Sequence, residues 1–170
     1  MLPGEIVFTR IPSAANSLAA DFVSANAEYL SHANNGAFSA LSGEDLTIGF
    51  WANVDSASSN NVGAAKWLSA ANIEWYIYAS LGSNSKPLFY FAYSSTGYTS
   101  IAPPDALSDG TWHYIICEMD RAGAEIHCSV DNGTRGTAST AGAIDKVNTY
   151  AAFEIAKNPY MNGSVDEFAI

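Results

Sequence analysis

Short runs of aromatic and β-branched residues recur along the chain, and clusters of Gly, Ser, Asn, Asp and Pro separate them. No amphipathic helix longer than two turns is apparent. Many short strands with regular turn signals predict an all-β fold, either a sandwich or a barrel. The predicted strands are Asp45–Val54, Ile73–Leu81, Pro87–Ser94, Trp112–Met119, Ala124–Asp131, Ala151–Ala156 and Gly163–Ile170.

Two consecutive runs predict a hairpin whose register can be read from the sequence. If Arg121–Ala124 forms the loop, Cys117 lies opposite Cys128 and both side chains face the core. Two buried free thiols are favoured over a disulfide, because cross-strand disulfides are often strained. The turn that follows the hairpin contains Asn132-Gly133, the pair that type I′ turns favour.

Several predicted strands are apolar or aromatic on both faces, whereas a sandwich sheet normally keeps one face polar. The second aromatic face is therefore either covered by loops or used as a binding platform. On a concave face, such a platform would stack on a ligand such as a sugar ring. The candidate ligand-binding residues are Trp51, Tyr76, Tyr78, Tyr90 and Trp112.

Composition narrows the class of partner. The 170 residues suit one domain, and 17 Asp and Glu against 7 Lys and Arg give a net charge of −10. Such a surface repels polyanions, which excludes nucleic acid and anionic membrane surfaces as partners. No stretch approaches the length of a membrane span. Residues 1–20 lack the continuous apolar run of a secretory signal peptide.

No motif in the sequence indicates catalysis. Glycan hydrolysis needs two carboxylates that face one bond. The best-placed pair, Glu118 and Asp120, is more simply explained as the solvated end of a hairpin. There is no nucleophile elbow, phosphate-binding glycine loop or zinc-protease motif, and the three histidines are scattered. We therefore expect a protein that is not an enzyme.

Several segments resemble motifs of the concanavalin A-like, laminin G-like jelly-roll domains. They are Asp45–Trp51 (DLTIGFW), Lys66-Trp67, Trp75–Leu81, Leu107–Ile115 (LSDGTWHYI), and Phe153–Ala156 with Asn162–Ile170, and more loosely Asp21-Phe22 and Tyr29-Leu30. The resemblance covers residues 17–170 and leaves residues 1–16 as an N-terminal arm or linker. It implies an all-β, two-sheet antiparallel jelly-roll sandwich with one concave and one convex sheet.

The resemblance also implies roles for individual residues. His113 belongs to the family's Trp-His pair, for which a structural hydrogen bond is the preferred role. Jelly rolls of this kind often carry one structural calcium ion where the first and last strands meet. That implies Asp166 as a metal ligand, with Asp21 or Glu28 as looser candidates, whereas the alternative is that Asp166 caps or pairs locally.

Two functions stay open. One is a non-catalytic glycan-binding module, whose shallow site would need several copies for useful avidity. The other is a purely structural module, such as a bacteriophage capsid decoration or tail protein, whose residues 1–16 would dock onto neighbouring subunits. The two functions can also be combined in one protein, a glycan-binding module displayed on a virion or an adhesin. Its location would then be extracellular or on the virion surface. Glycan cleavage is the least favoured alternative.

Overall fold

Two antiparallel sheets of six strands each form a sandwich in the computed structural model of the chain. The structure describes residues 19–35, 38–39, 44–67, 73–93, 97–140, 151–157 and 159–170, so the predicted arm at residues 1–16 lies outside the described residues. Within the described ranges, no helix has the length and apolar character needed to span a membrane. The predicted all-β, two-sheet jelly-roll sandwich is confirmed.

Successive strands are distributed over both sheets. In chain order they are β1 (Ala20–Phe22), β2 (Leu30–His32), β3 (Leu46–Val54), β4 (Asn61–Trp67), β5 (Ile73–Leu81), β6 (Lys86–Ala92), β7 (Tyr98–Ile101), β8 (Trp112–Asp120), β9 (Glu125–Val130), β10 (Gly136–Ser139), β11 (Phe153–Ile155) and β12 (Gly163–Ala169). Sheet A has the order β1-β12-β3-β8-β9-β10, and sheet B the order β2-β11-β4-β5-β6-β7. Short 3-10 helices occur at Ser24–Asn26 and Gly82–Asn84.

The seven predicted strands correspond to β3, β5, β6, β8, β9, β11 and β12, with ends that differ by at most two residues. Strands β7 and β10 were not predicted, because both have four residues and are rich in small or polar side chains. Most of β4 gives a weak signal as well. Its Gly and Ala residues have low β propensity, so only the pairing with β5 and β11 identifies it as a strand.

The β8–β9 hairpin has the predicted register. Cys117 pairs with Cys128, and the two Sγ atoms lie 2.8 Å apart as buried free thiols. Burial raises the pKa of the Cys117 thiol well above its usual value, and the neighbouring Cys128 adds to the effect. The Cys117 thiol therefore stays protonated at neutral pH, and both buried cysteines pack as small apolar side chains.

The type I′ turn after β9 is present but lies one residue earlier than the position predicted. Its central residues are Asp131 and Asn132, with φ of 51° and 58°, and the Gly133 N–H donates to the Val130 carbonyl at 2.7 Å. Asp tolerates a left-handed backbone better than most residues, and the His113 ring holds the Asp131 carboxylate. The prediction of Asn132-Gly133 as the central pair is therefore wrong.

Aromatic rings dominate the core between the sheets. Phe168 of β12 stacks on Phe50 of sheet A and also contacts Phe153 of sheet B, with ring centroids 5.6 and 5.0 Å apart. Trp75 is fully buried, and its indole N–H donates to the Phe38 carbonyl at 3.0 Å. Because alternate residues of a strand point to opposite faces, these inward residues determine which side chains face outward.

One ion pair is buried with this core in sheet B. Lys66 of β4 lies opposite Trp75, and its ammonium group donates to the Glu74 carboxylate at 2.9 Å with both side chains 0% exposed. The Ser39 hydroxyl donates to the same carboxylate oxygen at 3.2 Å. A buried charge is tolerated only with such partners. The pair therefore holds together the ends of β4 and β5 that carry Trp67 and Tyr76.

We expect Glu74→Ala to lower the free energy of unfolding by about 3–5 kcal/mol, because it leaves the Lys66 ammonium uncompensated in the core. The double variant Lys66→Met, Glu74→Leu should recover most of that loss, since two apolar side chains leave no charge to bury. Urea denaturation followed by tryptophan fluorescence measures both values.

Glu118→Ala is the control for this experiment. The Glu118–Arg135 pair has a similar distance of 3.1 Å, but the two side chains are 35% and 51% exposed. Its loss should cost less than about 1 kcal/mol. A Glu74→Ala variant that is destabilised no more than Glu118→Ala would contradict the role given to the buried pair.

Candidate functional site

The outer face of sheet B carries five aromatic side chains, which we call the aromatic face. Its members are Trp67, Tyr76, Tyr78, Tyr90 and Tyr98. They face outward because residues next to them in sequence, such as Ile77 and Phe89, point into the core. Tyr76 pairs with Ala65 on one side and with Tyr90 on the other, which places Tyr76 and Tyr90 in one row across β4, β5 and β6.

Contacts between rings order the aromatic face. The Trp67 and Tyr76 rings meet edge to face with centroids 4.7 Å apart, and Tyr78 lies 4.8 Å from Tyr76 on the other side. A second pair, Tyr90 and Tyr98, has centroids 6.0 Å apart. These separations lie in the range that favours aromatic pairing. The rings therefore support one another before any ligand is present.

The aromatic face has a buried floor, which is Tyr76, and a more exposed rim, which is formed by its other four side chains. Tyr76 is only 1% exposed, whereas Tyr98 is 62% exposed and Trp67, Tyr78 and Tyr90 are partly buried. Burial, followed by the charge of Tyr78 and a hydrogen bond with it, raises the pKa of Tyr76. Tyr76 is one of the residues predicted from the sequence to contact ligand. The structure makes it a support beneath the rings that can do so.

A charged pair lies at the β2–β11 end of this face. Glu154 of β11 pairs with Ala65 in the row of Tyr76, and its carboxylate accepts a hydrogen bond from the Lys157 ammonium group. The hydrogen bond to Glu154 raises the pKa of Lys157. The same ammonium group lies 4.4 Å from the centroid of the Tyr29 ring, a cation–π contact. Lys157 is therefore occupied by two partners.

The other two predicted ligand-binding residues lie on the opposite sheet. Trp51 of β3 and Trp112 of β8 occupy the outer face of sheet A, where Trp51 contacts Tyr114 with ring centroids 5.4 Å apart. Gly49 leaves room for the Tyr114 hydroxyl, which would collide with a Cβ at that position. The five predicted aromatic residues therefore divide between two outer faces and cannot form a single platform. Tyr98 and Trp67, which complete the aromatic face, were not predicted.

The three predicted metal ligands have local partners. Asp21 accepts a hydrogen bond from the Ser164 hydroxyl, and Asp166 accepts one from the backbone N–H of Glu167. Glu28 accepts bonds from the Val23 N–H and from a neighbouring side-chain amide. In the described part of the chain, no three His, Cys, Asp or Glu residues gather closely enough to hold a metal ion. The calcium ion stays a prediction from the resemblance.

The carboxylates considered for hydrolysis also have structural partners. Glu118 pairs with Arg135 on the outer face of sheet A. Asp120 accepts a hydrogen bond from the Gly123 N–H at 2.8 Å, which closes the β8–β9 turn. Both contacts agree with the interpretation of this pair as the solvated end of a hairpin.

His113 forms a Ser–His–Asp arrangement that resembles a catalytic triad in its distances. Nδ1 of His113 is 2.6 Å from the Asp131 carboxylate, and Nε2 is 3.0 Å from the Ser108 hydroxyl. However, the Ser108 backbone N–H also donates to Nε2, at 3.1 Å. In serine hydrolases the N–H of the nucleophile points toward the oxyanion instead. These contacts agree with the structural role predicted for His113, which joins the turns that flank β8 and β9.

We expect His113→Ala to lower the free energy of unfolding by about 2 kcal/mol and Ser108→Ala by about 1 kcal/mol, because each variant removes hydrogen bonds between the two turns. Chemical denaturation measures both. A chromogenic acetate ester should be hydrolysed at the background rate by wild type and Ser108→Ala alike. Esterase activity that disappears in Ser108→Ala would contradict the structural role.

A family model described as the concanavalin A-like lectin/glucanases superfamily, of the laminin G type, matches residues 24–170. Domains LG4-5 of the mouse laminin alpha1 chain superpose with a TM-score of 0.56 and 18% identity over 84% of this chain and 40% of that one. The Ruminococcus gnavus IT-sialidase CBM40 bound to alpha2,3 sialyllactose gives 0.57 and 8% over 83% and 86%. A SAP-like pentraxin from Limulus polyphemus gives 0.54 and 10% over 73% and 62%.

Comparison with curated protein sequences finds no significant match. At these low identities the solved structures establish a shared fold and not a shared ligand. This chain also spans less than two thirds of the pentraxin and of the laminin pair. The family model, in contrast, matches most of the chain in the segments whose motifs suggested it. The chain belongs to the concanavalin A-like lectin/glucanases superfamily, in its laminin G-like branch.

Proposed function

We propose that the protein is a non-catalytic carbohydrate-binding module that binds its ligand on the aromatic face of sheet B. The observation that carries this proposal is the arrangement of Trp67, Tyr78, Tyr90 and Tyr98 around the buried ring of Tyr76. Sugar rings present C–H groups that pack on aromatic faces, and sugar hydroxyls bond to phenol hydroxyls. The aromatic face offers both kinds of group.

The packing of the aromatic face favours binding because its side chains are largely fixed before a ligand binds. Trp67 and Tyr78 are both held against Tyr76 by ring contacts under 5 Å. Side chains that are already fixed lose less conformational entropy when a ligand arrives.

The outer face of sheet A is the weaker candidate. Its Trp51 ring packs on Tyr114, and the same face carries the Glu118–Arg135 ion pair. Among the residues that the structure describes, the ring contact of Trp51 and Tyr114 compares with three such contacts on the aromatic face of sheet B. It therefore serves as the internal control for the proposal.

Structures of the same fold support a sugar ligand. The R. gnavus CBM40 is bound to alpha2,3 and alpha2,6 sialyllactose, and domain 4 of the arabinanase AbnA from Geobacillus stearothermophilus is in complex with arabinotriose. A single shallow face binds weakly, so display in several copies would raise its affinity. For that reason we propose a setting on a larger extracellular assembly, such as a virion or an adhesin.

A glycan array tests the proposal, with the purified protein multimerised on beads. We expect binding to a defined class of sugar. Tyr78→Ala and Tyr90→Ala should each weaken this binding roughly tenfold, because each removes an aromatic ring from the rim. Tyr76→Phe should leave binding within about twofold of wild type, since its ring supports the others and its hydroxyl is buried.

Trp51→Ala is the matched control, because it removes an aromatic side chain of similar size from sheet A. Thermal melts show whether each variant is folded. Binding that is lost in Trp51→Ala and kept in Tyr78→Ala would move the site to sheet A. A blank array from folded protein would instead favour the purely structural module of a capsid or tail. Repeating the array with calcium and with a chelator tests the predicted ion.

A further inference from the structure

We propose that Cys117 and Cys128 are a disulfide-forming pair, which closes to an S–S bond when the chain folds in the presence of a small-molecule disulfide such as oxidised glutathione. The bond would link β8 to β9 within sheet A. The basis is the place of the two residues in the hairpin, together with the burial of both side chains. The inference does not depend on the ligand proposed for sheet B.

The hydrogen-bond pattern of the hairpin determines how close two opposed side chains come. Tyr114 and Asp131 are opposed one position beyond the end of the β8–β9 ladder, which runs without a register shift. The Asp131 N–H donates to the Tyr114 carbonyl at 2.9 Å, so these two residues form a hydrogen-bonded pair. Hydrogen-bonded and non-hydrogen-bonded pairs alternate along an antiparallel ladder. The Cys117–Cys128 pair lies three positions further on and is therefore a non-hydrogen-bonded pair.

The non-hydrogen-bonded position is the one that suits a cross-strand disulfide. Side chains there lie closer together, and Cα atoms about 4.5 Å apart fall within the range found in disulfides. The two Sγ atoms lie 2.8 Å apart in the reduced protein. Closing them to a bond of about 2.05 Å takes a small rotation of the side chains and little movement of the strands. Strain, which favours free thiols at other cross-strand positions, is therefore smaller at this one.

The bond forms by two thiol–disulfide exchanges while the hairpin is open. The thiolate of one cysteine attacks the S–S bond of oxidised glutathione, forms a mixed disulfide and releases one glutathione thiolate. The thiolate of the other cysteine then attacks the protein sulfur of the mixed disulfide and releases the second glutathione. Each cysteine loses one proton, and two electrons pass to glutathione, which leaves as two reduced molecules that take up the two protons.

Burial makes the redox state a property that is set during folding. Cys117 and Cys128 are 0% and 1% exposed, so neither an oxidant nor a reductant can reach the sulfur atoms in the folded protein. Burial also raises the pKa of the Cys117 thiol, which leaves little of the thiolate that attacks a disulfide. A chain that folds reduced therefore keeps both thiols, and a chain that folds oxidised keeps its bond until the hairpin opens.

The bond would lie in the middle of a sheet. Cys117 pairs with Ile48 of β3, and Cys128 pairs with Gly136 of β10. A cross-link at this place restricts the unfolded chain and leaves the folded pairings intact. The oxidised protein should therefore be the more stable of the two forms.

Oxidative refolding tests the inference. Wild-type protein is denatured in urea with dithiothreitol and refolded by dilution, either into a mixture of oxidised and reduced glutathione or into dithiothreitol alone. After oxidative refolding we expect no thiol that reacts with Ellman's reagent in denaturant, an intact mass lower by two hydrogen atoms, and no link between chains on a non-reducing gel. The urea midpoint should lie roughly 1 M above that of the reduced protein.

The double variant Cys117→Ala, Cys128→Ala is the matched control, because it cannot form the bond. Its urea midpoint should be the same after either refolding, and this difference between preparations is the readout rather than its own stability. A second measurement uses wild type alone and tests the effect of burial. Native reduced protein should lose its thiols to oxidised glutathione at least about tenfold more slowly than the same protein in urea.

Three results would overturn the inference. Two free thiols in folded protein after oxidative refolding, or glutathione attached to either cysteine, would overturn the pairing. A urea midpoint that does not rise on oxidation would overturn the stabilising role of the bond. Native protein that is oxidised as fast as unfolded protein would overturn the role of folding in setting the redox state.

Discussion

The alternation of inward and outward side chains on β5 and β6 is the constraint on which the rest of the molecule depends. Trp75, Ile77 and Phe89 are fully buried between the sheets, so their neighbours Tyr76, Tyr78 and Tyr90 must face outward. A register slip of one residue would exchange the two sets and bury phenol hydroxyls in an apolar core. The outward direction of these three rings is therefore a consequence of core packing.

Charge on this face follows from the same packing. Burial raises the pKa of Tyr76, so its phenol stays protonated at neutral and mildly alkaline pH. The hydrogen bond with Glu154 likewise keeps Lys157 protonated over the same range. As a result, the aromatic floor is neutral and the pair beside it is balanced. The ligand binding proposed for this face would thus depend on aromatic rings and phenol hydroxyls.

Local patterns predicted the strands well because a strand's own residues determine its two faces. The ends of β5 and the Cys117–Cys128 register both follow from short stretches of sequence. Assignment of a strand to a sheet depends instead on pairings between distant residues, and no local pattern reveals it. For that reason Trp51 and Tyr78 were grouped together although they lie on different sheets. Tyr98 was not predicted because β7 is too short to give a strand signal. The turn after β9 lies one residue earlier than predicted, since Asp131 is held by His113 of the neighbouring strand.

The Ser108–His113–Asp131 contacts illustrate why neither fold nor proximity defines an activity. The three side chains have the distances of a hydrolase, yet one backbone N–H, donated to Nε2 of His113, gives the cluster a structural role. The superfamily includes both lectins and glucanases, so the fold does not tell binding from catalysis. The chemical groups exposed on the surface have to distinguish the two. Here they are aromatic rings and hydroxyls on one sheet, while the acidic groups considered for catalysis are held in turns and ion pairs on the other.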